Sequence, residues 1–202
     1  MHLGEPVLGD RTERGQAHCR EILREATRGP HERLHQHAGF AIVNDGTITR
    51  RDYRALLSRL YGFYEPFERA VGAGDLRTQW LKSDLACLGA DAATIAGVSL
   101  CADIPRYEGP ERRLGALYVV EGSALGGRQL SRGLDRLLGA GRVEGRRFFA
   151  GRGSDTGAAW LGFLGQLASA GSEPIGRAVL VSAAVETFEV FETWLGGWSD
   201  RT

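Results

Sequence analysis

Apolar residues recur every three to four positions along most of the chain, the spacing of one face of an α-helix. The clearest example is residues 49–71, where the apolar positions are Tyr53, Leu56, Leu57, Leu60, Tyr61, Phe63, Tyr64 and Phe67. Thr49, followed three residues later by Asp52, is typical of a helix start. No segment of useful length alternates with a period of two, so the pattern predicts an all-α protein without significant strands.

The same periodicity predicts about seven helices in one domain. The helical stretches are 11–27, 31–39, 49–71, 76–88, 111–138, 158–168 and 174–198. Gly29 and Pro30 are expected to separate or kink the first two, and the glycine- and arginine-rich residues 139–157 are expected to form a connector. Residues 1–10 are predicted to be a flexible leader, and residues 11–202 a single helical domain.

Composition narrows the classes of function. The 202 residues include 25 basic and 25 acidic ones, so no overall field attracts nucleic acid or an anionic membrane. No run approaches the roughly 18–20 uninterrupted apolar residues of a membrane span. Cys19, Cys87 and Cys101 are far apart and form no CxxC pair, which argues against a disulfide framework or a thiolate zinc site. We therefore expect a cytoplasmic globular protein without nucleic-acid or membrane partners.

Three features of the sequence are candidates for chemistry, and the first is a histidine pair. His31 and His35 lie four residues apart, which places them on one helix face. A metal site built on two histidines needs further ligands, and no HExxH motif or carboxylate set accompanies them. A single imidazole can still be an axial haem ligand. The alternative is a surface or hydrogen-bonded histidine.

The second feature is a glycine-rich segment within a long helix, residues 117–128, which reads LYVVEGSALGGR. Gly122, Gly126 and Gly127 together cost the helix about 2–3 kcal/mol relative to alanine. A kink, a bare face against a flat ligand, or close helix packing would offset that cost.

The third feature is Arg24, about two helical turns before His31 on the same side. A guanidinium there can meet a carboxylate of a ligand bound at His31, although a solvated arginine is the alternative.

Together these features resemble the haem oxygenases, and more closely the bacterial branch that accompanies phytochromes. Residues 23–34, LREATRGPHERL, resemble the family's proximal helix with its Leu-basic-x-x-Thr-x-x-x-His pattern. Residues 83–89, SDLACLG, resemble the bacterial DLxxLG segment, and residues 117–127 match the distal LYVxEGSxLGG pattern closely. Phe188, Phe191 and Trp194 lie where the family has an aromatic helix, so the resemblance spans roughly residues 20–198.

The resemblance implies a haem-oxygenase-like helical bundle in which haem lies between the proximal and distal helices. His31 would bind the iron, and Gly122, Gly126 and Gly127 would let the distal backbone lie close to the porphyrin. Ser123 would organise distal water for proton delivery. The haem-binding residues implied by the family are Arg24, Thr27, Tyr118 and Phe188, with Arg24 and Tyr118 on the propionates.

The implied reaction is oxygen-dependent cleavage of haem to biliverdin with release of carbon monoxide and ferrous iron. Haem would be both substrate and cofactor. The expected partners are haem, dioxygen, a ferredoxin- or flavin-type reductase as electron donor, and a bacteriophytochrome as biliverdin acceptor.

Three features depart from patterns within the family. Gly29 and Pro30 directly precede His31, where Pro30 removes one helical hydrogen bond and can start a fresh turn that fixes the direction of the His31 side chain. Ser123 stands where the mammalian-type enzymes have an aspartate, and the bacterial branch also has serine there. His35 stands where many relatives have a carboxylate that orients the proximal imidazole. These departures leave open a non-catalytic protein that binds haem or another small molecule on the same scaffold. A helical interaction module without a ligand is a third reading, in which the distal glycines serve packing alone.

Overall fold

The computed structural model describes residues 18–198, so the leader predicted at residues 1–10 lies outside the described residues. Within the described range the chain is helical and contains no β-strand, which confirms the all-α prediction. None of the helices in this range combines the length and the apolarity that a bilayer crossing requires.

Eleven α-helices of very different length make up residues 18–198. They are α1 (18–26), α2 (Arg28–His35), α3 (Ala38–Asn44), α4 (Arg50–Val71), α5 (Leu76–Cys87), α6 (Ala92–Ala96), α7 (Pro110–Gly133), α8 (Asp135–Leu138), α9 (Arg147–Ala150), α10 (Thr156–Ala170) and α11 (Pro174–Leu195). A short 3-10 turn at Gly153–Asp155 precedes α10. The seven predicted stretches correspond to α1, α2, α4, α5, α7, α10 and α11, and the additional helices α3, α6, α8 and α9 are short.

The boundary between the first two helices differs from the prediction. The break falls at Thr27, and Gly29 and Pro30 lie inside the first turn of α2. Proline is tolerated there because the first N–H groups of a helix have no intrahelical acceptor. The predicted stretch 31–39 is also divided, since α2 ends at His35 and His37 caps the separate helix α3.

The predicted helix 111–138 ends earlier, at Gly133, and the predicted connector contains the short helix α9. Arg146 stabilises this earlier end of the helix. Its buried guanidinium donates to the carbonyl oxygens of Ser131, Leu134 and Gly139 and pairs with Asp135. These bonds add to the backbone hydrogen bonds that the Ser131 and Leu134 carbonyls already accept, so a side chain from outside the helix stabilises the end of α7.

The amphipathic pattern of residues 49–71 forms α4, which runs through the core. Its buried side chains include Tyr53, Leu56, Leu57, Leu60, Phe63, Tyr64 and Phe67. Thr49 caps the helix by accepting a hydrogen bond from the backbone N–H of Asp52 at 3.1 Å. The helix ends at Val71 because Gly72 adopts a left-handed φ of 65°.

α11 is the common neighbour of the two helices that carry the candidate chemistry. It packs along α7 and also contacts α2. The approach to α7 is closest at Gly115, where a Cβ atom would lie 2.2 Å from the Leu180 carbonyl oxygen of α11. This helix therefore fixes where α2 and α7 stand relative to each other.

Replacing Gly115 with alanine should lower the free energy of unfolding by about 1–3 kcal/mol, because the added methyl group forces α7 and α11 apart. Gly162→Ala is the matched control, since α10 leaves open space where that Cβ atom would stand. The control should raise the free energy of unfolding by about 0.5–1 kcal/mol through helix propensity. Urea unfolding measures both, and shifts of the same sign would contradict the close approach of α7 to α11.

Candidate functional site

Thr27 is the point where the α1–α2 boundary meets α7. Its side chain is buried, and its hydroxyl donates a hydrogen bond to the Leu23 carbonyl oxygen at 2.7 Å. Burial raises the pKa of Tyr118 on α7, while a hydrogen bond with Thr27 and the positive charges of Arg20 and Arg24 oppose that rise. Arg24 of α1, Thr27 at the α1–α2 boundary and Tyr118 of α7 therefore lie near one another.

Arg24 is held only weakly in its present position. Its side chain is 69% exposed and pairs with Glu21 at 3.1 Å, one turn away on α1. An exposed pair of this kind contributes about 0–1 kcal/mol, so the guanidinium can turn toward an anionic group of a ligand at little cost.

His31 lies one turn beyond Thr27 on α2, and its backbone N–H donates to the Thr27 carbonyl oxygen at 3.1 Å. Its exposed imidazole meets two rings edge-on, with centroid distances of 4.5 Å to His35 and 6.2 Å to Phe188 of α11. Partial desolvation lowers the pKa of His31, and the charge of His35 lowers it further, against the opposing effect of Glu32. The neutral ring is favoured, and that is the form that binds a metal.

Polar contacts fix α2 and α3 to α11 near this ring. Arg33 binds Glu192 in a bidentate pair, with distances of 2.5 and 2.9 Å. His37 accepts a hydrogen bond from the Gly39 N–H at Nδ1, so its Nε2 donates to the Leu195 carbonyl oxygen at 3.1 Å. His37 is therefore engaged in holding the fold, whereas the contacts of the His31 ring are with other rings.

The three distal glycines have different surroundings. A Cβ atom at Gly126 would meet nothing within 4 Å, and one at Gly122 would make only an ordinary 3.8 Å contact with Trp160. Gly127 is buried, and a Cβ atom there would lie 2.6 Å from the Phe149 carbonyl oxygen of α9. The prediction that all three form a bare ligand-facing surface is therefore corrected at Gly127, where close helix packing requires glycine.

Ser123 lies between the two open glycines, and a tyrosine faces it. Ser123 is exposed and donates a hydrogen bond to the Val120 carbonyl oxygen at 2.9 Å. Burial raises the pKa of Tyr64 on α4, and a hydrogen bond with Ser123 opposes that rise. Sequence reasoning missed Tyr64 because it counted this residue only as part of the apolar face of α4. The hydroxyl at the tip of a core-facing ring is the signal that could have identified it.

A buried ion cluster joins α4, α5 and α7 beside this tyrosine. The Glu68 carboxylate accepts hydrogen bonds from the backbone N–H groups of Arg77 and Thr78, each at 3.0 Å. The Arg77 guanidinium lies 2.7 Å from Glu121 and 3.7 Å from Glu68. Burial alone would lower the pKa of Arg77, but its carboxylate partners raise it. Glu121, within the distal motif, therefore holds α7 in place.

Asp84, in the segment that resembles DLxxLG, binds α9, which packs against the distal helix α7. It is fully buried and accepts hydrogen bonds from the backbone N–H groups of Arg147 and Phe148 at 2.7 and 2.8 Å. These bonds hold the first turn of α9, whose Phe149 carbonyl packs against Gly127. Burial raises the pKa of Asp84 to about 6, although the two backbone bonds oppose the rise.

Comparison with known protein families shows that residues 18–196 match the family described as heme oxygenase. No curated protein matches the chain significantly. The match covers α1 to α11 and therefore includes every residue discussed in this site.

The raised pKa of Asp84 predicts a specific dependence of stability on pH. Because the pKa of about 6 in the folded protein exceeds the ordinary value near 3.9, the stabilisation is complete below pH ~4 and is lost as the pH rises through ~6. The unfolding free energy of the wild type relative to Asp84→Asn should therefore fall by about 3 kcal/mol across that window.

Asp91→Asn is the matched control, because hydrogen bonds with Thr94 lower the pKa of the exposed Asp91 carboxyl. Its stabilisation is present above pH ~4 and is lost as the pH falls through the lowered pKa, so the difference between the wild type and this control should change mainly below pH ~4 and in the opposite direction. Urea unfolding at several pH values measures both variants. A flat difference for Asp84→Asn would contradict the burial of an ionisable carboxyl at the α5–α9 contact.

Proposed function

The chain belongs to the haem oxygenase family, and on that premise we propose that it cleaves haem to biliverdin with dioxygen, releasing carbon monoxide and ferrous iron. The observation that carries the proposal is the pair of open glycines on α7. Packing accounts for Gly127 but gives no reason for Gly122 or Gly126, which together cost the helix about 2 kcal/mol. A flat ligand lying on the bare backbone supplies the missing reason.

The residues around these glycines fit haem in charge and shape. His31 and Gly122 each lie one helical turn beyond the contact of Thr27 with Tyr118, on α2 and α7 respectively. A neutral imidazole suits the iron, the bare helix face suits the ring, and Arg24 suits a propionate. Haem supplies the iron that binds dioxygen and is itself the molecule that is oxidised.

In the proposed reaction the residues around the haem have separate roles. His31 holds the iron, with Phe188 limiting the rotation of its ring. Arg24, Thr27 and Tyr118 orient the propionate edge. Gly122 and Gly126 leave room for dioxygen.

Ser123 and Tyr64 would hold water and pass a proton on the distal side, which the influence of Ser123 on the pKa of Tyr64 supports. We propose further that a ferredoxin- or flavin-type reductase supplies electrons, and that the chain belongs to the phytochrome-associated branch in a cytoplasmic setting, with a bacteriophytochrome as biliverdin acceptor.

A second candidate function is haem binding without turnover. Two observations favour it: the Ser123 hydroxyl is engaged by its own helix, and His31 meets the His35 ring where a carboxylate would be a stronger acceptor. Reconstitution with haemin distinguishes the two functions. Loss of the Soret band with formation of biliverdin, on addition of ascorbate or a ferredoxin–reductase pair, supports the enzyme, and a stable Soret band supports the binder.

His31→Ala should reduce turnover roughly 100-fold or more and shift the Soret band, because the iron loses its protein ligand. His35→Ala is the matched control on the same helix face and should keep the axial ligand and most of the activity. Visible spectra and biliverdin yield measure both variants. Full turnover with an unchanged spectrum in His31→Ala would transfer the ligand role to another residue.

Gly126→Leu should weaken haem binding at least about tenfold while raising the unfolding free energy by about 0.8 kcal/mol. The leucine improves helix propensity without a clash in the protein itself, but it occupies the ligand face. Gly162→Leu is the control, with the same gain in propensity on α10. Haemin titration and urea unfolding give the two quantities, and normal haem affinity in Gly126→Leu would refute the bare-face explanation.

A further inference from the structure

Asp84 is a buried ionisable residue to which the proposed reaction assigns no role. It belongs to residues 83–89, SDLACLG, at the end of α5. Local structure accounts for other members of this segment: Leu85 and Leu88 are buried in the core, and Gly89 adopts a positive φ of 90° just after the helix. Asp84 has no such local reason, because its side-chain hydrogen bonds lead out of the segment to α9.

The Asp84 carboxylate caps the first turn of α9. One oxygen accepts from the Arg147 N–H at 2.7 Å and the other from the Phe148 N–H at 2.8 Å, so both oxygens are engaged. The N–H groups of a first turn have no intrahelical acceptor, and the side chain of the residue before α9 makes no capping bond. α9 has only four residues, whereas isolated helices shorter than about 12–15 residues are marginal in water. The position of α9 therefore depends on Asp84.

α9 makes two contacts on the side of the molecule assigned to dioxygen. The Phe148 ring meets the Tyr64 ring edge-on, with a centroid distance of 5.0 Å and an interplanar angle of 74°. The Phe149 carbonyl oxygen lies so close to α7 that a Cβ atom at Gly127 would stand 2.6 Å from it. Because protein interiors are closely packed, a shift of α9 would move the Tyr64 ring and the backbone around Gly127 together.

We propose that Asp84 is a positioning residue of the distal side, which acts through α9. By fixing the first turn of α9, it holds the Phe148 ring against Tyr64 and the Phe149 carbonyl against Gly127. Tyr64 then stays beside Ser123, where the proposed proton transfer takes place. The consequence for turnover rests on the proposed function, whereas the position of the tyrosine ring can be measured without haem.

The NMR resonances of the Tyr64 ring in the haem-free protein are the first readout, because the ring current of Phe148 makes them sensitive to how the two rings stand. Tyr64→Phe assigns these resonances by their loss. Asp84→Asn replaces one acceptor oxygen with an NH₂ group, so it should shift them and speed amide exchange in the first turn of α9 roughly tenfold. Unchanged Tyr64 resonances in Asp84→Asn would overturn the proposal.

Tyr107→Phe is the matched control for a loss of stability. It removes a buried hydrogen bond, since the Tyr107 hydroxyl lies 2.8 Å from Thr187 Oγ1, and it keeps the ring that packs on Phe67. The Tyr64 resonances and turnover should stay as in the wild type. Equal changes in Asp84→Asn and in this control would show that lost stability alone moves the tyrosine, which would overturn a positioning role.

Phe148→Leu tests the route through α9. It removes the ring that meets Tyr64 but keeps the backbone N–H that binds Asp84, so it should reproduce the effect of Asp84→Asn on turnover. The effects of the two substitutions should not add when they are combined, because they act on one chain of contacts. Additive effects would overturn the route. Should Asp84→Asn fail to fold, unaltered turnover in Phe148→Leu would remove the path by which Asp84 acts.

Turnover of the haem-loaded protein is the second readout. Asp84→Asn should slow biliverdin formation roughly tenfold or more while leaving the affinity for haemin unchanged, because α9 contacts the distal side and not His31. Normal turnover in a variant whose Tyr64 resonances have moved would overturn the role in the reaction. If the wild type binds haem without turnover, the proposed function fails by itself, and the Tyr64 resonances alone decide whether Asp84 positions the tyrosine.

Discussion

The position of α7 is the constraint on which the rest of the structure depends. Three of its glycines bring neighbouring backbones so close that no side chain fits: Gly115 against α11, Gly127 against α9 and Gly133 against α3. A Cβ atom would lie 2.0–2.6 Å from a carbonyl oxygen at each of these positions. Because interiors are closely packed, α7 cannot shift without disturbing three other helices. The open face at Gly122 and Gly126 is consequently held in a fixed place.

Buried charge complements this steric constraint. Arg77 connects Glu68 of α4 to Glu121 of α7, and Glu68 also caps the first turn of α5. Buried ion pairs of this kind are weak evidence for stability, but removing one partner costs about 3–5 kcal/mol because it leaves an uncompensated charge. The cluster therefore restricts the rotation of α7 about its axis. That restriction keeps the Ser123 side of α7 beside Tyr64 of α4.

The sequence was sufficient for features that depend on local periodicity and insufficient for those that depend on distant neighbours. The apolar stripe of α4 and the helical cost of the distal glycines could be recognised without a structure. The end of α7 could not, because Arg146 stabilises it by binding the Ser131 and Leu134 carbonyls from beyond the helix. The sequence likewise could not separate Gly127, which packs against α9, from Gly122 and Gly126, which are open, because that difference depends on where α9 lies. The sequence did not identify Tyr64 as a candidate site residue. A tyrosine on the apolar face of a helix is expected to be a core residue, and only the structure shows what lies beside its hydroxyl.

The contact between His31 and His35 lowers the pKa of His31, whereas a carboxylate partner would raise it. A carboxylate beside the proximal imidazole strengthens it as a ligand but also attracts a proton to the free ring. His35 does the opposite, since its charge lowers the pKa of His31 in addition to the effect of desolvation. The ring centroids lie 4.5 Å apart, close enough for this electrostatic effect on His31. The neutral form of His31, which is the form that binds a metal, is therefore favoured, and without a carboxylate partner the imidazole is a less electron-rich ligand.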